Sequence, residues 1–263
     1  MAALADFDVA HLRADNPGPF TLTGTNTYVV GRDPAWVVDP GPDLEAHVDA
    51  VAAEVAARGG LGGIALTHRH ADHDAAAAAL RARHDAPVAA AAGAADVRLA
   101  DGERFGPLRA LAAPGHTADH HALVLQGDRV AFAGDAVLGQ GSVFVSPGPG
   151  SLSGYLAALR RLRELPLAVL GPGHGPVVED PGAKLDEYLA HRLDRERRLL
   201  AALDAGLRTT DELLDEVWDD APPELRLPAT VTLAAHLDKL AEEGRLPEGV
   251  ERPSIEIPDG VHP

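Results

Sequence analysis

The chain has 263 residues and 27.4 kDa, enough for one large core or for a catalytic body with a small appendage. A hydrophobic share of 46% and a charged share of 24% exclude disordered and fibrous classes. The absence of cysteine excludes disulfides and thiolate ligands, and a net charge of −17 opposes polyanionic partners unless a local basic patch overrides it.

Residues 27–30 and 35–38 are short β-branched and aromatic runs around the turn GRDP, which predicts a hairpin near the N-terminus. Residues 43–58 place Leu44, Val48, Val51 and Val55 three and four apart before Gly59, an amphipathic helix with a glycine stop. GGIALT then reads as a buried strand, AAAAALRAR as a helix, and PVAAA and PLRALAA as further short strands. HALVLQGDRVAFAGDA is a hairpin turning at Gly127-Asp128. SLSGYLAALRRLREL is a helix with Ser151 as N-cap and Leu152, Tyr155, Leu156, Leu159 and Leu162 on one face, and LPLAVL is the last strand.

From about Asp180 the chain becomes nearly all helical. The first of these helices ends at Gly206, Thr209 and Glu212 form a capping box for TTDELLDEVW, and VTLAAHLDKLAEEG forms the third. The tail ERPSIEIPDGVHP is expected to be extended. The organisation expected is thus an α/β body over 1–180 and a helical module with tail over 181–263. The opening MAALADFDVA lacks the basic-then-apolar order of an export signal, and no apolar run reaches the roughly 20 residues of a membrane span, so a cytoplasmic protein without membrane contact is expected.

Thirteen histidines is a high count for an acidic chain, and they cluster. THRHADHD puts His68, His70, Asp72 and His73 directly after an apolar strand, so one loop can feed two adjacent metal centres. His116 in APGHT, Asp135 in AFAGDA and His174 in GPGHG each end another strand beside glycine or proline, where backbone and cation can approach closely. Four separate loops sharing this context favour a common site over scattered surface histidines.

Asp39 in VVDPG, THRHADH, PGHT, GD and GPGH occur in the order found in the metallo-beta-lactamase superfamily, which residues 20–180 resemble. The resemblance implies an α+β αββα sandwich with the site at one edge. It implies His68, His70 and His116 as ligands of one metal, Asp72, His73 and His174 as ligands of the other, and Asp135 as the bridge. Imidazole and carboxylate donors without sulfur suit two zinc ions, with iron or manganese compatible. A hydroxide shared by two such ions exists at neutral pH and serves as nucleophile, with Asp72 orienting it. Asp39 and His120 are expected behind the ligands, fixing ring orientation, although a plain turn role for Asp39 stays open.

NPGPFTLTGTNTYVVG, FAGDAVLGQG and AHRLDRERRLL further resemble the beta-lactamase-like protein 2 family, whose members include a single-strand endoribonuclease and carry a C-terminal helical module. A dinuclear hydrolase acting on single-stranded RNA is the reading this implies. It would need cations near the metals, and His191, Arg192 and Arg195 are the candidates, unless they lie on a solvent-facing helix with Asp194 and Arg198 paired. The alternative is a thioesterase resembling hydroxyacylglutathione hydrolase or the acyl-carrier-protein thioesterases, which the acidic field suits better. The bridging carboxylate and the missing cysteine argue against a true beta-lactamase. The last helices also suggest a winged-helix-like nucleic-acid module, but ten Lys and Arg against nineteen Asp and Glu from Lys184 onward is the wrong sign for reading DNA. A lid over the site or a homodimer contact is the use expected of them.

Overall fold

The computed structural model describes residues 2–255. Eleven strands form two sheets among these residues. The first holds β1 (Val9–Arg13), β2 (Asn26–Val30), β3 (Ala35–Val38), β4 (Leu61–Ala65), β5 (Val88–Ala90) and β6 (Val97–Arg98) in that order. The second runs β11 (Val169–Pro172), β10 (Val130–Gly134), β9 (His121–Leu125), β8 (Leu108–Ala112) and β7 (Arg104–Phe105). Their alternation fixes the layers. In the first sheet Tyr28, Val30, Val38 and Ala65 face inward, onto Leu108, Ala110, Leu123 and Phe132 of the second. Val29, Val37 and Ile64 point outward, where helices α1 (Glu45–Ala57) and α3 (Ala77–His84) cover them with Val48, Val51, Val55 and Leu80. On the other side α4 (Ser151–Glu164) and the start of α5 (Pro181–Asp204) cover Leu111, Val124, Ala131 and Leu170. The result is the αββα sandwich expected.

The 27–30/35–38 hairpin forms with Tyr28 opposite Val38, and β9 and β10 pair antiparallel as their pattern predicts. Several local expectations are corrected. Ser151 is the first residue of α4, not its cap; Gly150 in the left-handed region takes the cap position, and the Ser151 hydroxyl donates to the Ser146 carbonyl at 2.6 Å. Leu44 precedes α1 and is exposed, so its face is carried by the three valines. The last strand is only Val169–Pro172, the C-terminal part of its apolar run and two residues beyond it. The edge strands β1, β6 and β7 had no sequence signal strong enough to read.

The helical region comprises α5, α6 (Thr210–Val217) and α7 (Arg226–Glu242), the last starting five residues before the apolar periodicity suggests. Asp180 caps α5 by accepting from the Ala183 N–H, and the Thr209/Glu212 capping box opens α6. Leu199, Leu203, Leu213, Val217, Leu233 and Leu237 form a separate core. Residue 180 is the cap of α5, whereas packing divides that helix internally: Leu185 and Tyr188 belong to the sandwich, Leu199 and Leu203 to the module. Asp194 pairs with Arg197 rather than Arg198, whose partner is Asp219 at 2.6 Å. Of the tail, residues 256–263 lie outside the described residues. No helix among the described residues is long and apolar enough to cross a membrane.

Candidate metal centre

All seven candidate ligands meet at one end of the sandwich. His68 and His70 leave the chain just after β4, Asp72 and His73 lie in the one-turn helix α2 (Ala71–Asp74), and His116, Asp135 and His174 follow β8, β10 and β11. Every one is buried except His70, which is half-buried and faces the cleft.

Two groups of donors flank Asp135, and a third, His68, His73 and Asp135, overlaps both. In one, the Nδ1 of His70 lies 3.0 Å from both His68 Nε2 and His116 Nε2. In the other, His174 Nε2 is 3.3 Å from His73 Nε2 and 3.2 Å from Asp72 Oδ2. Asp135 reaches both, with Oδ2 3.6 Å from His116 Nε2 and 3.3 Å from His174 Nε2, and Oδ1 3.5 Å from His73 Nε2. His68, His70 and His116, and likewise Asp72, His73 and His174, converge closely enough to share a cation each.

Neighbours set the ring tautomers. Asp39 accepts from the Thr67 N–H at 2.7 Å, from the Thr67 hydroxyl at 2.7 Å and from His73 Nδ1 at 2.9 Å. With its proton given to Asp39, Thr67 Oγ1 can only accept from His68 Nδ1, 3.0 Å away. Both rings therefore present Nε2 lone pairs to the centre. His174 Nδ1 faces the Gly24 carbonyl at 3.4 Å, which again leaves Nε2 inward. Close-facing nitrogen lone pairs repel unless a cation lies between them, and Asp135 Oδ1 is buried without a hydrogen-bond partner. The donor set thus fits a pair of divalent ions.

The electrostatics agree. Burial opposes charge on every histidine here, and it prevails at His68, His116 and His120, all held below the ordinary range, and at His70, pushed down to about 4. At His73 and His174 burial is outweighed by Asp135 and Asp72, which raise them to about 8 and about 10. Asp135 is held well below the usual carboxylate range, because His174 and His73 overcome its desolvation.

The two residues expected behind the ligands lie there. Asp39 orients His73 directly and His68 through Thr67, while His120 Nε2 accepts from the Asp135 backbone N–H at 3.0 Å. Glycines permit this density: a Cβ on Gly134, whose φ is +49°, would stand 2.4 Å from Thr67 Oγ1, and one on Gly173 would stand 2.2 Å from Asp135 Oδ1. Sequence reasoning missed Thr67 and Thr25, whose hydroxyl donates to Asp72 Oδ2 at 3.0 Å; the only signal was position, Thr67 beside His68 and Thr25 in the GTNTY segment.

Beside His70 and His116 opens a cleft of about 620 Å³ walled by Phe20, Phe144, Pro114 and the segment 146–151, and on the far side by Leu227, Pro228 and Val231 of α7. Among the described residues, no lysine or arginine lines it. His191, Arg192 and Arg195 are not brought to this cleft. They lie behind Phe144 around a smaller cavity; Arg192 is buried and donates to the Ser142 hydroxyl at 2.9 Å and to the Val143 carbonyl, and Arg195 donates to the Val217 carbonyl and pairs with Asp220. As RNA-contacting cations beside the metals they are misplaced, because the helix that carries them packs those side chains against the body.

An αββα sandwich with clustered histidines and aspartates at one edge defines a metal-dependent hydrolase. The sequence pattern of the metallo-beta-lactamase superfamily matches residues 20–110 and 95–174, and that of the beta-lactamase associated winged helix domain matches 209–249. The chain belongs to the metallo-beta-lactamase superfamily. It is 32% identical to a beta-lactamase-like protein 2 homolog of Caenorhabditis elegans over 94% of this chain and 88% of that one. It is 33% identical to an atrochrysone carboxyl ACP thioesterase of Paecilomyces divaricatus, over 90% and 81%. The crystal structure of a metallo-beta-lactamase family protein from Thermus thermophilus superposes with a TM-score of 0.66 at 26% identity, covering 90% and 94%.

Proposed function

We propose that the chain is a dinuclear zinc hydrolase of thioesters that carry an extended apolar acyl group. The observation that carries this reading is the cleft beside His70 and His116, apolar and free of lysine and arginine, in a molecule of net charge −17. Away from the metal centre, a phosphodiester backbone entering it would find no lysine or arginine to replace its counterions, whereas an acyl chain would gain roughly 25 cal/mol per Å² of apolar surface removed from water. Similarity to a protein described as an acyl-carrier-protein thioesterase supports the same choice.

When bound by the two donor groups, divalent ions supply a solvent-derived nucleophile at neutral pH and polarise the scissile carbonyl. His68, His70 and His116 would hold one, Asp72, His73 and His174 the other, with Asp135 between them. Asp72, its Oδ2 fixed by Thr25, keeps Oδ1 free to take the proton of the attacking water and return it to the departing thiolate. Phe20, Phe144 and Val231 hold the acyl chain and exclude bulk water.

The test is a panel assay on enzyme whose metal content is measured by atomic spectroscopy, with acyl thioesters of two to twelve carbons, a labelled single-stranded RNA and nitrocefin. Thioester hydrolysis that rises with chain length and is abolished by Asp72→Ala is expected. RNA cleavage without thioesterase activity would move the assignment to the phosphodiester reading, and the absence of bound zinc, iron or manganese would remove it altogether.

A further inference from the structure

A second cavity, of about 230 Å³, lies in the seam between sandwich and helical module, and Phe144 and Pro228 wall both it and the catalytic cleft. Its polar lining is Ser142, His191, Arg192, Arg195, Asp220 and Thr232. Arg195 is fully engaged: it pairs with Asp220 at 2.7 Å, donates to the Val217 carbonyl and reaches His191 Nε2 at 3.3 Å. Asp220 is the carboxylate on the wall, and that pair cancels its charge. Arg192 differs. It is 2% exposed, has no carboxylate partner among the described residues and rests 5.7 Å from the Tyr155 ring, and its Nε–H is without an acceptor. A buried cation with an unused donor is costly to fold around unless something compensates it.

His236, one turn along α7 from Thr232, does not line the cavity but packs in the same seam, against Trp218 of the cavity wall. It is fully buried, and neither ring nitrogen has a partner among the described residues. Burial, then the charges of Arg192, Lys239 and Arg195 around it, keep its ring neutral. A neutral imidazole still carries one N–H to donate. Glu196, a buried acid on α5, is committed to Lys239 at 2.8 Å. The seam therefore holds a buried guanidinium with no carboxylate partner among the described residues: its Nη2 is met by the neutral Ser142 hydroxyl and Val143 carbonyl, and its Nε–H is unmet.

We propose that this cavity is a second binding site, for a phosphate-class anion, with Arg192 as its principal donor and His191 and Ser142 at its rim. The anion has two possible sources: free inorganic phosphate, or the phosphate of a pantetheine-type arm bearing the acyl group. Only the second rests on the thioesterase reading: the two cavities adjoin across Phe144 and Pro228, and one substrate would reach both by passing these side chains.

The test titrates inorganic phosphate calorimetrically into the full-length, metal-loaded protein, with thermal unfolding in parallel. Saturable binding with a raised Tm is expected, weakened about tenfold or more by Arg192→Gln, the loss of a charge-assisted hydrogen bond. His191→Glu places a carboxylate beside the guanidinium; it abolishes binding while satisfying the buried charge, so the test survives if Arg192→Gln does not fold. Absence of saturable binding, or binding unchanged in His191→Glu and so belonging to the metal centre, overturns the proposal. KM values for S-acyl-4′-phosphopantetheine and S-acyl-pantetheine then separate the sources. A value about tenfold lower for the phosphorylated arm, lost in His191→Glu, assigns the site to the substrate, and equal values with phosphate binding intact assign it to the free anion. A chain without thioesterase activity would leave the phosphate titration as decisive as before.

Discussion

Asp39 shows how one carboxylate can set two imidazoles. It accepts from Thr67 twice and from His73 once, so His73 is fixed directly and His68 through the Thr67 hydroxyl. Asp39→Asn keeps the shape but turns one accepting atom into a donor facing other donors. Metal affinity is expected to fall about 10- to 100-fold, read by competition with a chromophoric chelator, with activity partly restored at saturating metal. An unchanged affinity would reduce Asp39 to its turn role. His73 and His174 give a second prediction. Raised to about 8 and about 10 by Asp135 and Asp72, both carry a proton at pH 7 in the metal-free protein. Metal needs their lone pairs, so each should release one proton on metal binding at pH 7, and progressively less as pH rises through about 8 and then about 10. Calorimetry in two buffers of different ionisation enthalpy measures this. The same linkage acts on stability: because these pKa values are raised, the metal-free protein holds their contribution below about pH 6.5 and loses it as pH climbs through about 8 and about 10. A melting temperature of the metal-free protein that is flat over that range would contradict the charge assignment.

Among the elements, α7 links the helical module to the site, walling the cleft with Leu227, Pro228 and Val231. Its Asp238 and Glu242 accept from the backbone N–H groups of Gly148 and Gly150 at 2.9 and 2.8 Å, which clamps the segment that forms one wall of the cleft. That segment in turn holds His116, since the Ser146 hydroxyl donates to the His116 carbonyl at 2.7 Å. The paired substitution Asp238→Ala with Glu242→Ala is expected to lower kcat/KM by up to about thirtyfold through KM, at an unchanged metal content, because two charge-assisted bonds worth about 1 kcal/mol each at a partly exposed surface are lost. A fall in bound metal instead would show that the clamp serves His116 rather than the wall. None of this clamp was legible in the sequence. Helices α1, α4, α5 and α6 announced themselves by apolar spacing and caps, because periodicity is local; SPGPG has no period, and its partners lie some ninety residues later. Ser151 misled for the same reason: an N-cap serine is a local rule, but Gly150 already satisfied the turn and the hydroxyl went to Ser146.

Across the whole molecule, the ligands were readable and the pocket was not. His68 to His73, His116, Asp135 and His174 each close an apolar strand, so their convergence follows from sheet topology alone. The cleft is assembled from Phe20, Phe144 and Leu227 to Val231, three segments with no common pattern. His191 and Arg192 do not line the catalytic cleft, and the sequence could not show this, because helix periodicity cannot tell a solvent-facing side from one packed on a neighbouring body. Net charge, by contrast, can be read from the sequence alone, and it decides between substrates kinetically. A field of −17 repels a polyanion, and added salt screens that repulsion within a Debye length of about 10 Å at 0.1 M. For a neutral acyl thioester kcat/KM should therefore stay within about twofold as ionic strength rises from about 0.02 to 0.5 M, apart from any slight gain from stronger apolar association. An RNA substrate held by a basic surface would instead lose affinity steeply with salt, at a slope set by the phosphates contacted. Stopped-flow or steady-state rates across that salt series distinguish the two, and a steep negative slope with RNA would place on this surface a cationic track that neither the cleft lining nor the charge balance contains.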